Sequence, residues 1–347
     1  MNLVTTDQNR QTAHDAPHDL VDSLGRTISY LRLSITDRCD LRCVYCMPKD
    51  MAFLPRKDVL DLEEMEKICA AFIRLGVRNI RLTGGEPLVR RNVMTLVEKL
   101  SGHLNGGGLG ELTLTTNGTL LAKYADELRK HGMRRINVSL DTLNPDTYAS
   151  ITRGGDVNKV IDGLNAAREC GIKVKINSLA LKGINDHEFN ALVEWCGVRG
   201  FDLTFIESMP MGDIGRCRVM SYMPASEVRE TLAQSWTLEE TDHNTGGPSK
   251  YFTVKETGCK VGFISPLSGS FCEGCNRVRL TCTGQLFMCL GQGDSVDLRA
   301  VLRDGRSVED AIREGISAKP RGHDFEYDRR SGCESGAVDR FMSVTGG

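Results

Sequence analysis

The 347 residues allow roughly two or three domains at about 100–200 residues each, or one large α/β barrel with an appendage. Hydrophobic residues make up 40% and charged residues 26%, a composition that excludes a fully disordered, collagen-like or coiled-coil chain. Lys and Arg number 44 against 46 Asp and Glu, a net charge of −2, so bulk charge points to neither nucleic acid nor an anionic membrane, and any polyanion has to be met by a local cluster of cations.

Residues 1–25 read as a flexible N-terminal segment, and His14, Asp15, Pro17, His18 and Asp19 stand where a signal peptide needs an apolar run, so a cytoplasmic location is expected. From there the chain repeats a short strand pattern followed by a helix-length amphipathic pattern, the signature of parallel βα units. Strands are predicted over Tyr30–Thr36, Arg78–Thr83, Glu111–Thr116, Arg135–Asp141, Ile172–Leu179 and Asp202–Ser208. Helices fall between them, as over Leu62–Leu75, Leu121–His131 and Val157–Cys170, each followed by a glycine stop at Gly76, Gly132 and Gly171. Gly106, Gly107 and Gly108 read as a flexible turn. From about Gly215 the rhythm gives way to Gly- and Pro-rich segments, so the expected division is a barrel over 26–214 and a C-terminal domain over 215–347. The longest stretch free of Asp, Glu, Lys and Arg, Leu280–Gly293, has 14 residues, too few to span a bilayer.

Parallel strands covered on both faces normally read as continuous apolar runs. These alternate: Leu31, Leu33 and Ile35 with Tyr30, Arg32 and Ser34; Ile80 and Leu82 with Arg81; Ile136 and Val138 with Asn137 and Ser139; Val174 and Ile176 with Lys173 and Lys175. One face therefore sits under the helices, while the polar, cationic face lines a solvated or ligand-filled interior. An open sheet with that face in water is the alternative.

Thirteen cysteines in such a chain are the anomaly, since a reducing compartment discourages disulfides and an odd number cannot pair completely. Cys39, Cys43 and Cys46 form C-x3-C-x2-C in the loop after the first strand, and Cys272, Cys275 and Cys289 form C-x2-C-x13-C. Three thiolates hold three irons of a 4Fe-4S cluster and leave one iron open, a reaction site; a zinc site completed by a distant residue is the alternative. Cys69, Cys170, Cys196, Cys217, Cys259, Cys282 and Cys333 stand alone and read as small hydrophobes or idle thiols.

The stretch Ser34-Ile35-Thr36-Asp37-Arg38-Cys39-Asp40-Leu41-Arg42-Cys43-Val44-Tyr45-Cys46-Met47-Pro48 resembles the cluster loop of the radical S-adenosylmethionine (SAM) superfamily, and Gly84-Gly85-Glu86-Pro87 after the second strand resembles its second hallmark. Cys272-Glu273-Gly274-Cys275-Asn276-Arg277-Val278-Arg279-Leu280, with Cys289 and the terminal Gly346-Gly347, narrows the resemblance to the GTP 3′,8-cyclase family over nearly the whole chain. The resemblance implies a partial, TIM-like (β/α)6 barrel with a C-terminal iron–sulfur domain closing it. It also implies two 4Fe-4S clusters, one bound to SAM and one to substrate. SAM falls to Tyr45, Gly84, Gly85, Glu86, Ser139 and Met209; GTP to Arg32, Arg81, Thr115, Lys175, Arg277, Val278 and Arg279; catalytic roles to Arg32, Arg277, Arg279, Gly346 and Gly347.

In that family an electron from the first cluster cleaves SAM to a 5′-deoxyadenosyl radical, which takes hydrogen from ribose C3′ of GTP; the carbon radical then adds to C8 of guanine, opening molybdenum-cofactor biosynthesis. The implied partners are an electron donor such as flavodoxin or ferredoxin and cyclic pyranopterin monophosphate synthase as recipient of the product. A homodimer is allowed, and neither nucleic acid nor membrane is expected. Two departures stand out: Thr204 occupies a position where the family pattern has Arg, with Arg216 or Arg218 as candidate replacements, and Cys282 offers a fourth thiol to the second cluster. The rivals are a radical SAM peptide or small-molecule modifier with an auxiliary cluster, and a zinc-stabilised binding module without catalysis.

Overall fold

A computed structural model describes residues 19–214, 219–269, 271–323, 325 and 338–346. The six alternating segments form β1 (Tyr30–Ser34), β2 (Asn79–Thr83), β3 (Glu111–Thr116), β4 (Arg135–Ser139), β5 (Lys173–Ala180) and β6 (Asp202–Glu207). Between them run α1 (Leu62–Arg74), α2 (Val93–Ser101), α3 (Leu121–Lys130), α4 (Pro145–Thr152), α5 (Val157–Glu169) and α6 (Phe189–Arg199). Local chemistry explains their ends. At the start of α1 the Asp61 carboxylate accepts from Glu64 N at 2.7 Å and the Glu64 carboxylate from Asp61 N at 2.9 Å, a capping box. Met65, Ile68, Cys69 and Phe72 bury one stripe of that helix, and it stops before Gly76, whose φ of 98° only glycine adopts freely.

Strands β1 to β6 pair in parallel in sequence order, each register aligning the polar positions: Arg32 faces Arg81 across β1 and β2, Asn137 faces Lys175 across β4 and β5, and Asn177 faces Thr204 across β5 and β6. Leu33, Leu82, Leu114, Val138 and Ile176 on the alternate positions are fully buried beneath the helices. The inner face is buried too: Arg81 is 7%, Lys175 4% and Thr204 0% exposed, so it lines an interior, and the open sheet with one face in water is ruled out.

The chain beyond the sixth unit forms α7 (Ala225–Ala233), β7 (Leu238–Glu240), β8 (Lys250–Val254), β9 (Lys260–Ile264), β10 (Arg277–Leu280), β11 (Gln285–Phe287), β12 (Ser295–Asp297), α8 (Leu298–Arg303), α9 (Val308–Ser317) and α10 (Met342–Thr345). Its strands join the same sheet, whose order is β12-β11-β10-β1-β2-β3-β4-β5-β6-β9-β8-β7. β10 lies parallel to β1 and β9 parallel to β6, so the arc is lengthened at both edges by the segment that carries the second cysteine group. The pairs β10/β11 and β8/β9 turn antiparallel and finish the edges as hairpins.

Candidate active site

One cavity inside the arc gathers residues from both ends of the chain. Its wall includes Arg32, Arg81, Thr115, Ser139 and Lys175 from the polar strand face, both cysteine triads, Tyr45, Gly84, Gly85 and Met209, and Arg277 and Arg279. All of these were expected at the site from sequence, and the fold brings them together. Two expected residues turn elsewhere. Val278 is buried in the apolar core with its neighbour Leu280, as strand alternation demands, so only its main chain could meet a ligand. Glu86 is fully buried behind the cavity wall, where its carboxylate accepts from Leu88 N at 2.9 Å, Thr116 Oγ1 at 2.8 Å and Asn117 N at 2.6 Å. It ties the end of β2 to the end of β3, and burial pushes its carboxyl up to about 7 against those hydrogen bonds.

The first cysteine loop is held by main-chain bonds. Gly85 N donates to Thr36 O and Glu86 N to Arg38 O, both at 2.8 Å, while Val44 N donates to Ile151 O at 2.9 Å. A Cβ at Gly84 would stand 2.5 Å from Thr36 O, and one at Gly85 would collide with the Arg38 carbonyl, so both glycines are required by the approach of the loop. Cys39, Cys43 and Cys46 are half-buried thiols. Burial, followed by the Glu86 and Asp40 charges among others, pushes the Cys39 thiol up to about 12, and burial raises that of Cys43 as well. Tyr45 OH donates to Asp141 Oδ2 at 2.6 Å, and burial lifts the Asp141 carboxyl to about 6.

The second loop, between β9 and β10 with Cys289 after β11, is held by cations. Arg26, paired with buried Asp22 at 2.6 Å, donates to Cys272 O and Arg321 O at 3.0 Å. Lys319, 4% exposed, donates to Arg277 O at 3.0 Å and reaches Cys275 Sγ at 3.8 Å. Burial raises the Cys275 thiol, but Lys319, Arg277 and Arg279 outweigh it and hold the thiol below its ordinary range. Cys272, Cys275 and Cys289 are free and half-buried. A thiol-only set of three facing one cavity is the donor chemistry of an iron–sulfur cluster. Cys282 is different: it is fully buried in the core and off the cavity, with its carbonyl accepting from Leu60 N at 2.8 Å.

The rest of the wall is cationic. Arg81 and Arg277 both approach the Tyr30 ring, with guanidinium carbons 5.5 Å and 5.9 Å from its centre. Burial first, and then the neighbouring Arg279 and Arg81, lower the Arg32 pKa; burial and Arg277 bring Arg279 down to about 10. Thr115 Oγ1, Asn137 Oδ1 and Asn177 Oδ1 are buried on this wall with no hydrogen-bond partner among the described residues, which is costly unless a ligand supplies one. Arg279 donates to Gly346 O at 2.6 Å. Gly346 has φ 81°, and a Cβ there would collide with Thr83 of β2, so the chain end threads where only glycine fits. Gly347, Arg216, Arg218, Cys217 and Cys333 lie outside the described residues.

Several members of the site carry no sequence signal. Asp141, Asn117, Lys319 and Tyr251 are ordinary polar residues with partners far away in sequence, as the Tyr45–Asp141 separation of 96, the Asn117–Cys39 separation of 78, the Lys175–Tyr251 separation of 76 and the Lys319–Cys275 separation of 44 illustrate. For Asn137 and Asn177 the alternation itself was a usable signal.

Residues 33–196 match the Radical SAM superfamily and residues 201–325 match Molybdenum Cofactor Synthesis C. Relatives named GTP 3′,8-cyclase include one from Brucella canis, 55% identical, and one from Bradyrhizobium diazoefficiens, 57% identical, each over 94% of this chain and 96% of its own. Among solved structures, Streptococcus suis SuiB bound to S-adenosylmethionine aligns with TM-score 0.62 at 16% identity over 84% of this chain and 68% of its own. Native anSMEcpe with bound AdoMet aligns with TM-score 0.57 at 15% identity over 85% of this chain and 82% of its own. At such identities the two structures are alike in fold alone.

Proposed function

The chain belongs to the GTP 3′,8-cyclase family of the radical SAM superfamily, and from that premise we propose that it converts GTP to (8S)-3′,8-cyclo-7,8-dihydroguanosine 5′-triphosphate, the first step of molybdenum-cofactor biosynthesis. The observation that carries the reading is the electrical division of one cavity. The acidic charges that reach the Cys39 and Cys43 thiols are Glu86, Asp40 and Asp141, and of these Asp141 lines the cavity, which suits the cationic sulfonium and ammonium of SAM. Toward Cys275 and the strand face, Arg32, Arg81, Lys175, Arg277 and Arg279 line the same cavity, a cluster of cations that suits a triphosphate.

In this assignment Cys39, Cys43 and Cys46 hold the cluster that binds SAM, and Cys272, Cys275 and Cys289 hold a second cluster facing the substrate purine. When bound, cluster and SAM supply a hydrogen-abstracting carbon radical, chemistry no side chain here could perform. The residues do the rest. The Gly84–Gly85 backbone and Ser139 orient the methionine end of SAM, and Tyr45 is fixed by Asp141 beside it. Arg32, Arg81, Lys175, Arg277 and Arg279 hold the phosphates, and Arg279 carries Gly346 into the same space. The apolar shell under the strands excludes water from a primary radical. A small flavin or iron–sulfur protein of the flavodoxin or ferredoxin class supplies the electron, and cyclic pyranopterin monophosphate synthase takes the product.

Anaerobic incubation of the reconstituted protein with SAM, dithionite and GTP tests this, read as 5′-deoxyadenosine and a GTP-derived cyclic product, with iron and sulfide measured alongside. Both products and about eight irons per chain are expected. SAM cleavage without any GTP-derived product would move the chain to another radical SAM reaction, and about four irons would remove the second cluster.

A further inference from the structure

Lys175 is 4% exposed, and among the described residues no carboxylate pairs with it. Its ammonium donates instead to the phenol oxygen of Tyr251 at 3.0 Å and stands 5.6 Å from that ring's centre. Tyr251 comes from β8, three strands away from β5, and three registers bring it there. Asn177 on β5 faces Thr204 on β6, Thr204 faces Gly262 on β9, and Gly262 faces Tyr251 on β8. At Gly262 a Cβ would stand 2.8 Å from Tyr251 Cε1, so the ring lies across the glycine. Thr204 Oγ1 is 3.5 Å from the Tyr251 hydroxyl and fully buried, so a long side chain at 204 would need the volume the phenol fills. The small pair Thr204 and Gly262 thus makes room for one large residue that ends on a buried cation. Thr245, whose Oγ1 is 3.2 Å from the phenol, closes the group from the cavity wall.

We propose that Tyr251 is a positioning residue for the phosphates of the substrate: its hydroxyl accepts from Lys175 and aims that ammonium into the cavity, filling the space beside the small Thr204 and Gly262. This rests on the reading that Lys175 binds GTP. A neutral oxygen is suited to the role because a carboxylate would neutralise the ammonium, whereas a phenol orients one N–H and leaves two for the ligand. The charge coupling agrees in direction. Burial lowers the Lys175 pKa and Tyr251 opposes it, while burial would raise Tyr251 but Lys175, with Thr204 and Thr245, brings it down.

The test is GTP affinity of the anaerobically reconstituted, full-length protein by equilibrium dialysis, with iron content and GTP-independent SAM cleavage as controls. Tyr251→Phe keeps the ring and removes the oxygen; GTP binding is expected to weaken about tenfold, the order of one hydrogen bond to a charged group, with iron and SAM cleavage unchanged. Thr204→Arg alone should weaken binding because the phenol blocks it, whereas Thr204→Arg with Tyr251→Ala should bind more tightly than Tyr251→Ala alone. That reversal tests the packing of Thr204 against the phenol, while Tyr251→Phe, which keeps the ring, separates positioning from space-filling. Lys175→Ala separates the two layers: if it leaves GTP affinity unchanged, the substrate assignment of Lys175 fails and the proposal with it. If Lys175→Ala weakens binding while Tyr251→Phe does not, the tyrosine role alone is overturned. Should the alanine variants not fold, the Phe variant decides by itself.

Discussion

The two cysteine loops line one cavity, yet the balance of what holds them differs. The loop after β1 is fixed by strand ends, two glycines without room for a Cβ and a buried Glu86 that gathers three donors, with Arg153 donating to Arg42 O and Met47 O and Arg42 to Cys39 O. The loop between β9 and β10 is fixed by long cationic side chains, Arg26, Lys319 and Arg340, the last donating to Leu290 O at 2.8 Å. The consequence is electrostatic. Burial and acidic charges push Cys39 up while nearby cations hold Cys275 down, the basis of the proposed sorting of a cationic and an anionic ligand within one cavity.

The comparison breaks most visibly at the thiols. Replacing Cys39, Cys43 or Cys46 by Ala should abolish SAM cleavage and leave about four irons per chain, whereas Cys272→Ala, Cys275→Ala or Cys289→Ala should retain SAM cleavage and lose the cyclic product. Iron content with 5′-deoxyadenosine yield checks both, and loss of both clusters from one change would show that the loops are not independent. Next in size is the chain end. Deleting Gly346-Gly347, or Gly346→Val, should nearly abolish cyclisation with both clusters intact, because φ 81° and the Thr83 contact admit no side chain. A truncated protein with normal product yield would show the tail to be dispensable.

Arg277→Ala and Arg279→Ala test the cationic side at a smaller scale. Each should weaken GTP binding by about 1.5–3 kcal/mol, the worth of a charge-assisted hydrogen bond, with SAM cleavage unchanged; equal losses for SAM and GTP would contradict the sorting. Glu86→Gln tests the backbone-built side. The amide offers a donor where Asn117 N and Leu88 N also donate, so a loss of about 1–3 kcal/mol is expected in thermal or denaturant unfolding. Its pH dependence has a definite sign. A folded pKa raised to about 7 means that the carboxyl's contribution to stability is fully present below its unfolded pKa and is lost as pH rises to about 7. That slope should be absent from the Gln variant.

The six-strand arc and its polar lining were legible because alternation records which face a residue takes, and Arg32, Arg81 and Lys175 sit on odd positions of strands whose even positions are aliphatic. The edges were not legible. β9 and β10 have 5 and 4 residues and no helix following at once, so nothing in their spacing says that they extend the sheet. Glu86 shows the limit of a motif: it lies in the Gly-Gly-Glu-Pro turn beside the cavity, but its carboxylate points the other way. Lys319 and Asp141 mark the limit of local reading altogether, since their partners are set by tertiary packing.

The smallest expected effect sharpens the comparison at its weakest point, the number of thiols in the second loop. Cys282 lies between Cys275 and Cys289 in sequence and could have made that loop a closed four-thiol site. It follows β10, where the chain leaves the cavity; its side chain joins the core, its carbonyl is used by Leu60, and burial pushes its thiol up to about 12. Cys282→Ala should therefore cost about 1 kcal/mol of stability, the order for a small buried group, and leave iron content and the cyclic product unchanged. If the variant instead lost about half its iron, the second loop would carry a fully ligated cluster with no open iron for substrate, and the likeness of the two loops as three-thiol sites would fail.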